Sequence, residues 1–196
     1  MCTGKCSTCI GISLYPLALV SIICNIILFF PGWETIYAKE DADGKYRLTD
    51  EVKYMGGLIG GGILVLIPAI HIHSTGRKGC CGNRCGMFLS IIFSVIGVVG
   101  ALYSIVVAAV GLLNGPVCMN PSGIWERPFK NQTESYLSNS EMWELCTEPK
   151  DVVVFNIGLF GALLGAGCIE LLLCLFQAVN GLFGCICGTC NNKEVS

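Results

Sequence analysis

Charge is what this 196-residue chain has least of. Only 13% of its residues are Asp, Glu, Lys or Arg, and the formal net charge is −2. Without a basic excess there is nothing to hold a phosphate backbone, so no nucleic-acid partner is expected. Histidine is nearly absent, with His71 and His73 the only two. They stand at one end of an apolar run, where histidines usually cap a span at headgroup level; a metal shared with nearby cysteines is the alternative. No phosphate-binding glycine loop, metal-protease helix or nucleophile elbow occurs. The chain is therefore read as non-enzymatic and without a cofactor. Alternation of polar and apolar residues is missing as well, which excludes a membrane β-barrel.

What is present is apolar length. Mean hydropathy is +0.67, and four continuous apolar runs stand out, at about 10–30, 54–73, 88–113 and 152–183. Each reaches the roughly 20 residues that a helix needs to cross a hydrocarbon core of about 30 Å. Backbone polar groups in lipid must be satisfied within the segment, so the runs are helices. The expected fold is all-α, a single membrane domain of four spans spread over residues 1–196. A small loop joins the first two spans, and a large one, 114–151, joins the last two. The first run is too long for a secretory signal and "LFFPGW" offers no cleavage site, so it stays as an anchor. Cys2 rather than glycine follows the initial Met, which excludes N-myristoylation.

Four spans put both termini and the middle loop on one side. That loop, Ser74–Met87, carries Arg77, Lys78 and Arg84 and no acid, a weak sign that it is cytosolic. The large loop holds the sequon "NQT" at Asn131, a glycosylation acceptor only on the lumenal side. It also holds two cysteines, Cys118 and Cys146, an even count that suits one disulfide in an oxidising compartment. Together these place the termini in the cytosol and the large loop outside.

The cysteines then sort themselves. Of fourteen, Cys118 and Cys146 lie outside, and Cys24, Cys168 and Cys174 lie within spans. Nine remain in three groups at the cytosolic surface: Cys2, Cys6 and Cys9; Cys80, Cys81 and Cys85; and Cys185, Cys187 and Cys190. Disulfides are disfavoured there. Thiols beside basic residues at the lipid surface suit S-palmitoylation. Zinc is the competing reading, since "CSTC" and "CGTC" have ligand-pair spacing, and free thiols are a third.

Within the spans, polar side chains are few. Glu170 is the single carboxylate near mid-membrane, where such groups usually face the bundle interior. At about 1.5 Å per residue it lies about 20 Å from Phe183, while Asn25 and Tyr103 lie about 22 Å from Ile10 and Phe88. The three are expected to meet at one level. A protonated Glu170 would donate to Asn25 and accept from the Tyr103 hydroxyl, with Gln177 and Asn180 extending the polar stripe. Gly56 and Gly60, Gly57 and Gly61, and Gly161 and Gly165 stand four apart, a spacing that allows close helix approach. Packing within the bundle is favoured for them over a homodimer face, although a homo-oligomer stays open.

The motifs "MCTGKCSTCIG", "FFPGWET", "GGLIGGG", "CCGNRC", "NGPVC", "WELCTEP", "CIELLLC" and "QAVNGLFG" follow one another in an order that resembles a known family. This is the L-six branch of four-transmembrane proteins, tumour-antigen-like relatives of tetraspanins by topology. Tetraspanins themselves fit less well, because their Cys-Cys-Gly lies in the large outer loop, whereas Cys80-Cys81-Gly82 is cytosolic here. Claudins carry cysteines in the first outer loop, and Pro31–Lys53 has none. Two departures from the family pattern stand out. The segment "VVVFNIGLF" has Phe155 for a tryptophan and a broken acceptor at Asn156, and the first outer loop is unusually charged.

The resemblance implies a non-enzymatic plasma-membrane adaptor. It would organise receptors and adhesion proteins in microdomains, with integrins, growth-factor receptors and tetraspanins as partners beside the membrane lipids, and would influence adhesion, motility and proliferation. The alternative is a small transporter or auxiliary channel subunit built on Glu170.

Overall fold

The computed structural model describes residues 3–38, 47–75, 84–130 and 135–187. Cys2, Cys80, Cys81, Asn131 and Cys190 lie outside the described residues. Four stretches of 25, 25, 30 and 35 residues are long and apolar enough to cross a membrane, and the chain is a multi-pass membrane protein. The first is α1 (Thr3–Leu28), which runs through Pro16 and stops where "FFPGW" turns into a 3-10 turn at Pro31–Trp33. A short α2 (Asp50–Lys53) precedes the second. That span opens as a π-helix, Gly56–Ile63, and continues as α3 (Leu64–Thr75). The third and fourth are α4 (Arg84–Asn114) and α5 (Val152–Cys187). All four spans run past the apolar edges read from sequence, at one end or both. Hydropathy marks only the part in lipid, and small polar residues continue a helix beyond it.

The helices form a ring in which α1 lies beside α3 and α5, and α4 also lies beside α3 and α5. One line of buried positions on α5 runs through Asn156, Phe160, Leu163, Gly167, Glu170, Cys174, Gln177, Gly181 and Gly184, in alternating steps of four and three. A similar line on α4 runs through Met87, Ser90, Ser94, Gly97, Ala101, Ser104, Ala108 and Gly111, and one on α1 through Ser7, Gly11, Leu14, Ala18, Ser21, Asn25 and Leu28. A repeat of 3.5 residues is the seam of a left-handed bundle. The seam here is largely small or polar, because in lipid the helices gain from close packing and hydrogen bonds rather than from hiding apolar surface. Outward positions such as Leu19, Val99, Leu172 and Phe176 are apolar and exposed, as a lipid-facing surface must be.

Between α4 and α5 the chain builds a small folded head. Strands β1 (Cys118–Met119) and β2 (Trp125–Glu126) pair antiparallel, Cys118 opposite Glu126. Their turn is held by Asn120 Oδ1, which accepts from the amides of Ser122 at 2.9 Å and Ile124 at 3.0 Å. Cys118 and Cys146 are joined by a disulfide, with Cα atoms 5.4 Å apart. Around it Cys118, Phe129, Tyr136, Val152 and Val153 form a core of their own. Phe129 and Tyr136 stack at 4.4 Å. Gly115, at φ +68°, has to be glycine, since a Cβ there would stand 2.7 Å from the Phe129 ring.

Candidate functional site

No pocket with convergent catalytic groups is found among the described residues, and no group of three His, Cys, Asp or Glu side chains gathers there to hold a metal. His71 stacks on Phe93 at 4.4 Å, and the ring of His73 meets Tyr15 edge-on at 5.9 Å. The chemistry of this chain lies in polar latches at three levels of the bundle.

At the end bearing the termini, Gln177 Nε2 donates to Ser7 Oγ at 3.0 Å and to Ser90 Oγ at 3.2 Å. Asn180 Nδ2 donates to Ser7 Oγ at 2.9 Å and to Gln177 Oε1 at 3.3 Å. One side chain from α1, one from α4 and two from α5 are thereby tied together. The tie also gathers the thiols, since Cys6 and Cys9 stand on either side of Ser7, Cys85 lies in the first turn of α4 and Cys185 in the last turn of α5. Cys6, Cys9 and Cys85 are exposed and Cys185 is half-buried. Cys187 closes α5, but its side chain is not among those described.

The middle level corrects the depth argument. Glu170 is fully buried, but Asn25 and Tyr103 do not meet it. Its Oε1 accepts from Ser21 Oγ at 3.2 Å, and its Oε2 faces the Gly61 turn without a hydrogen-bond partner. Asn25 Oδ1 instead accepts from the Leu58 amide at 2.7 Å, capping a donor of the π-helix. The Tyr103 hydroxyl reaches out to the Tyr54 carbonyl at 2.7 Å. A rise per residue fixes height but not direction. Tyr103 looks outward, while its neighbour Ser104 looks in.

The glycines divide in the same way. A Cβ on Gly60 would stand 2.6 Å from the Gly100 carbonyl oxygen, and one on Gly57 would stand 2.8 Å from that of Ser21. Gly56, Gly57, Gly60 and Gly61 are therefore internal packing. Gly161 and Gly165, with Gly158, face open space, contrary to the internal packing favoured for that pair.

At the loop end sits a clamp that sequence reasoning missed. Glu51 is buried; its Oε2 accepts from Arg127 Nη2, and its Oε1 accepts from Asn114 Nδ2 at 2.8 Å. The charged first loop thus pins the head onto the end of α4. Arg47 lies 4.7 Å over the Trp125 ring, and Tyr37 lies 5.8 Å from the same ring. Burial, helped by the carboxylates of Glu34 and Glu148, pushes the Tyr37 phenol up. Burial alone pushes Tyr136 up to about 12; its hydroxyl donates to the Leu112 carbonyl, and its own carbonyl accepts from Trp143 Nε1 at 2.9 Å. Asn156, the broken acceptor, is buried in α5 and hidden from any glycan machinery.

The family model for the L6 membrane protein matches residues 1–191. The chain belongs to the L6 membrane protein family. Relatives of this L6 protein match along nearly the whole chain. Transmembrane 4 L6 family member 5 of Bos taurus is 43% identical, covering 100% of this chain and 99% of the relative. Transmembrane 4 L6 family member 1 of Homo sapiens is also 43% identical, with 99% and 98% covered. Transmembrane 4 L6 family member 4 of Mus musculus is 43% identical, with 97% and 94% covered. No solved structure matches this L6 protein.

Proposed function

We infer that this L6 protein is a non-enzymatic adaptor of the plasma membrane, with its termini in the cytosol, organising receptors and adhesion proteins in membrane microdomains. The observation that carries this reading is how its intramembrane polar groups are used. Ser7, Gln177, Asn180 and Ser90 bond one another, Asn25 bonds the second span, and Ser21 bonds Glu170. These latches fix one helix against the next. The buried span atoms left without a hydrogen-bond partner among the described residues include a single carboxylate oxygen, Glu170 Oε2, along with His71 Nε2, Ser104 Oγ and Asn156 Oδ1. The disulfide-closed head supports an outer placement of the large loop, since such bonds persist in oxidising compartments. Asn131 is then positioned for a glycan. The gathering of Cys6, Cys9, Cys85 and Cys185 at the opposite end supports acylation there, with Cys2, Cys80, Cys81, Cys187 and Cys190 as further candidates. Integrins, growth-factor receptors and tetraspanins are the partners implied by resemblance.

A transporter or auxiliary channel subunit is the second reading, and the unpaired Oε2 of Glu170 favours it. Two measurements separate them. Purification of the tagged protein from mild detergent, with mass spectrometry of what accompanies it, should return adhesion proteins and receptors above background. Proton or ion flux in reconstituted vesicles, lost specifically in Glu170→Gln, would reject the adaptor reading.

A further inference from the structure

The second span begins at a break in the helix. Tyr54 keeps helical dihedrals after α2, but Met55 is left-handed at φ 50° and ψ 37°, and the π-helix starts at Gly56. Methionine enters that region at a cost that glycine escapes and asparagine partly escapes. A helix running straight through Met55 would bond the Leu58 N–H to the Tyr54 carbonyl, four residues back. Here the two groups are taken by side chains of two other helices. The Leu58 N–H donates to Asn25 Oδ1 of α1 at 2.7 Å, and the Tyr54 carbonyl accepts from the Tyr103 hydroxyl of α4 at 2.7 Å. One backbone hydrogen bond is thus exchanged for two side-chain bonds. On the far side of the break lies α2, whose Glu51 accepts from Arg127 and Asn114.

We propose that Met55 is a hinge with two arrangements, and that it couples the Glu51 clamp on the head to the Asn25 and Tyr103 bonds within the bundle. In the bent arrangement Asn25 and Tyr103 hold the split pair, and α2 carries Glu51 to Arg127. In the straight one Met55 turns right-handed, the Leu58 N–H takes the Tyr54 carbonyl, and α2 continues into the second span. Leu58 and Tyr54 keep a partner in either arrangement, so the two are discrete states and not a continuum of bends. Swinging α2 about Met55 draws Glu51 away from Arg127 and Asn114, so the head is released as the span straightens. Val52 makes the bent arrangement the resting one, since it is 2% exposed and clusters with Leu28, Ala108, Phe160 and Leu163. The buried Asn25 amide adds to that bias, and the left-handed Met55 opposes it. The Tyr103 bond lies at the exposed face of α4, whereas Arg127 belongs to the head. A neighbour that takes the Tyr103 hydroxyl from the side and one that takes Arg127 from the loop end therefore bias the same equilibrium, and each is felt at the other's place.

The test is carboxyl footprinting of the full-length protein in nanodiscs, with a water-soluble carbodiimide and mass spectrometry of the labelled peptides. The Asp50 side chain is 67% exposed and that of Glu51 5%, so Asp50 calibrates the reagent and Glu51 reports the straight arrangement. Tyr103→Phe removes the bond to the Tyr54 carbonyl without touching α2. It should raise Glu51 labelling about fivefold, the population change that follows from losing one neutral hydrogen bond. Met55→Val, which resists the left-handed region, should raise it as well. Met55→Gly removes the left-handed cost, and added to Tyr103→Phe it should bring Glu51 labelling back toward the wild-type level. Glycine that merely loosened the chain would raise labelling further. Glu51 labelling that stayed at the wild-type level in both Tyr103→Phe and Met55→Val would overturn the hinge. So would a Met55→Gly that increased labelling, alone or beside Tyr103→Phe.

Discussion

The Glu51–Arg127 clamp can be cut from either side, and the two cuts should cost different amounts. Glu51 is 5% exposed in its side chain and Arg127 17%. Arg127→Met leaves a buried carboxylate without its cation, held by the Asn114 amide and a backbone N–H. Removing one member of a buried pair costs about 3–5 kcal/mol, and the partial exposure of Arg127 puts this case near the lower end. Glu51→Leu strands a guanidinium that can still turn toward water, at a cost on the order of 2 kcal/mol. Replacing both residues leaves no buried charge, so the double variant should lose less than the singles together, with a coupling of about 2–3 kcal/mol. Unfolding in detergent, followed by tryptophan fluorescence, reports the clamp because Trp125 is packed against Arg47 and Tyr37. A double variant that loses the plain sum of the two singles would show that the pair carries no coupling, and the clamp would reduce to two independent surface contacts.

Three further outcomes are expected. Replacing both Cys118 and Cys146 by alanine opens a loop of sequence separation 28 and should cost about 3–4 kcal/mol in the chain-entropy model; free thiols at these positions in protein from the cell surface would contradict the pairing. Glycosidase should shift the mobility of the wild type and leave Asn131→Gln unmoved, and a glycan on the middle loop would reverse the proposed orientation. The Tyr136 phenol is pushed up to about 12 by burial. Its contribution to the head should therefore hold below the usual phenol value of about 10 and fade as pH rises toward about 12. Ultraviolet titration should lose its last step in Tyr136→Phe, and a Tyr136 that ionised with the exposed tyrosines would rule out that burial.

The four spans could be read from sequence because lipid forces every backbone polar group into a helix. Cys118 and Cys146 could be singled out by counting once sides were assigned. The latches were hidden for a physical reason. Serines in helices commonly bond the carbonyl one turn back, as Ser13 does with Cys9 and Ser94 with Ser90, so residue type alone does not mark Ser7, Ser21 and Ser90 as partners of another helix. The signal that could have exposed them is their place in the 3.5-residue repeat. Ser7 and Ser21, Ser90 and Ser104, and Asn156, Glu170 and Gln177 recur in multiples of seven on their helices, all buried. Depth counting found Glu170 but mispaired it, because Tyr103 stands one residue, or about 100° of rotation, away from that seam. The π-helix left only its glycines as a trace, and the clamp looked like ordinary loop charge until the fold brought Arg127 to Glu51.

The glycines give a test in which one spacing predicts opposite signs. Gly60 and Gly165 each belong to a pair of glycines four residues apart, and sequence alone treats them alike. The nearest atom that a Gly60 side chain would strike is backbone, the Gly100 carbonyl oxygen at 2.6 Å, followed by the Ser104 nitrogen and the Tyr103 ring, both at 3.0 Å. Backbone cannot turn aside as a flexible side chain can, so α4 must move away from the π-helix, and overpacking of this kind costs about 1–3 kcal/mol. Around Gly165 nothing lies within 4 Å. Alanine there meets no neighbour and removes the conformational freedom of a mid-helix glycine, a gain of up to about 1 kcal/mol by peptide scales in water. Gly60→Ala should therefore lower the unfolding midpoint in detergent, whereas Gly165→Ala should leave it unchanged or raise it. If both lowered it equally, the outward orientation of the Gly161–Gly165 face would be wrong. If Gly165→Val kept the midpoint but lost proteins that copurify with the wild type, the open face would be where a partner helix rests.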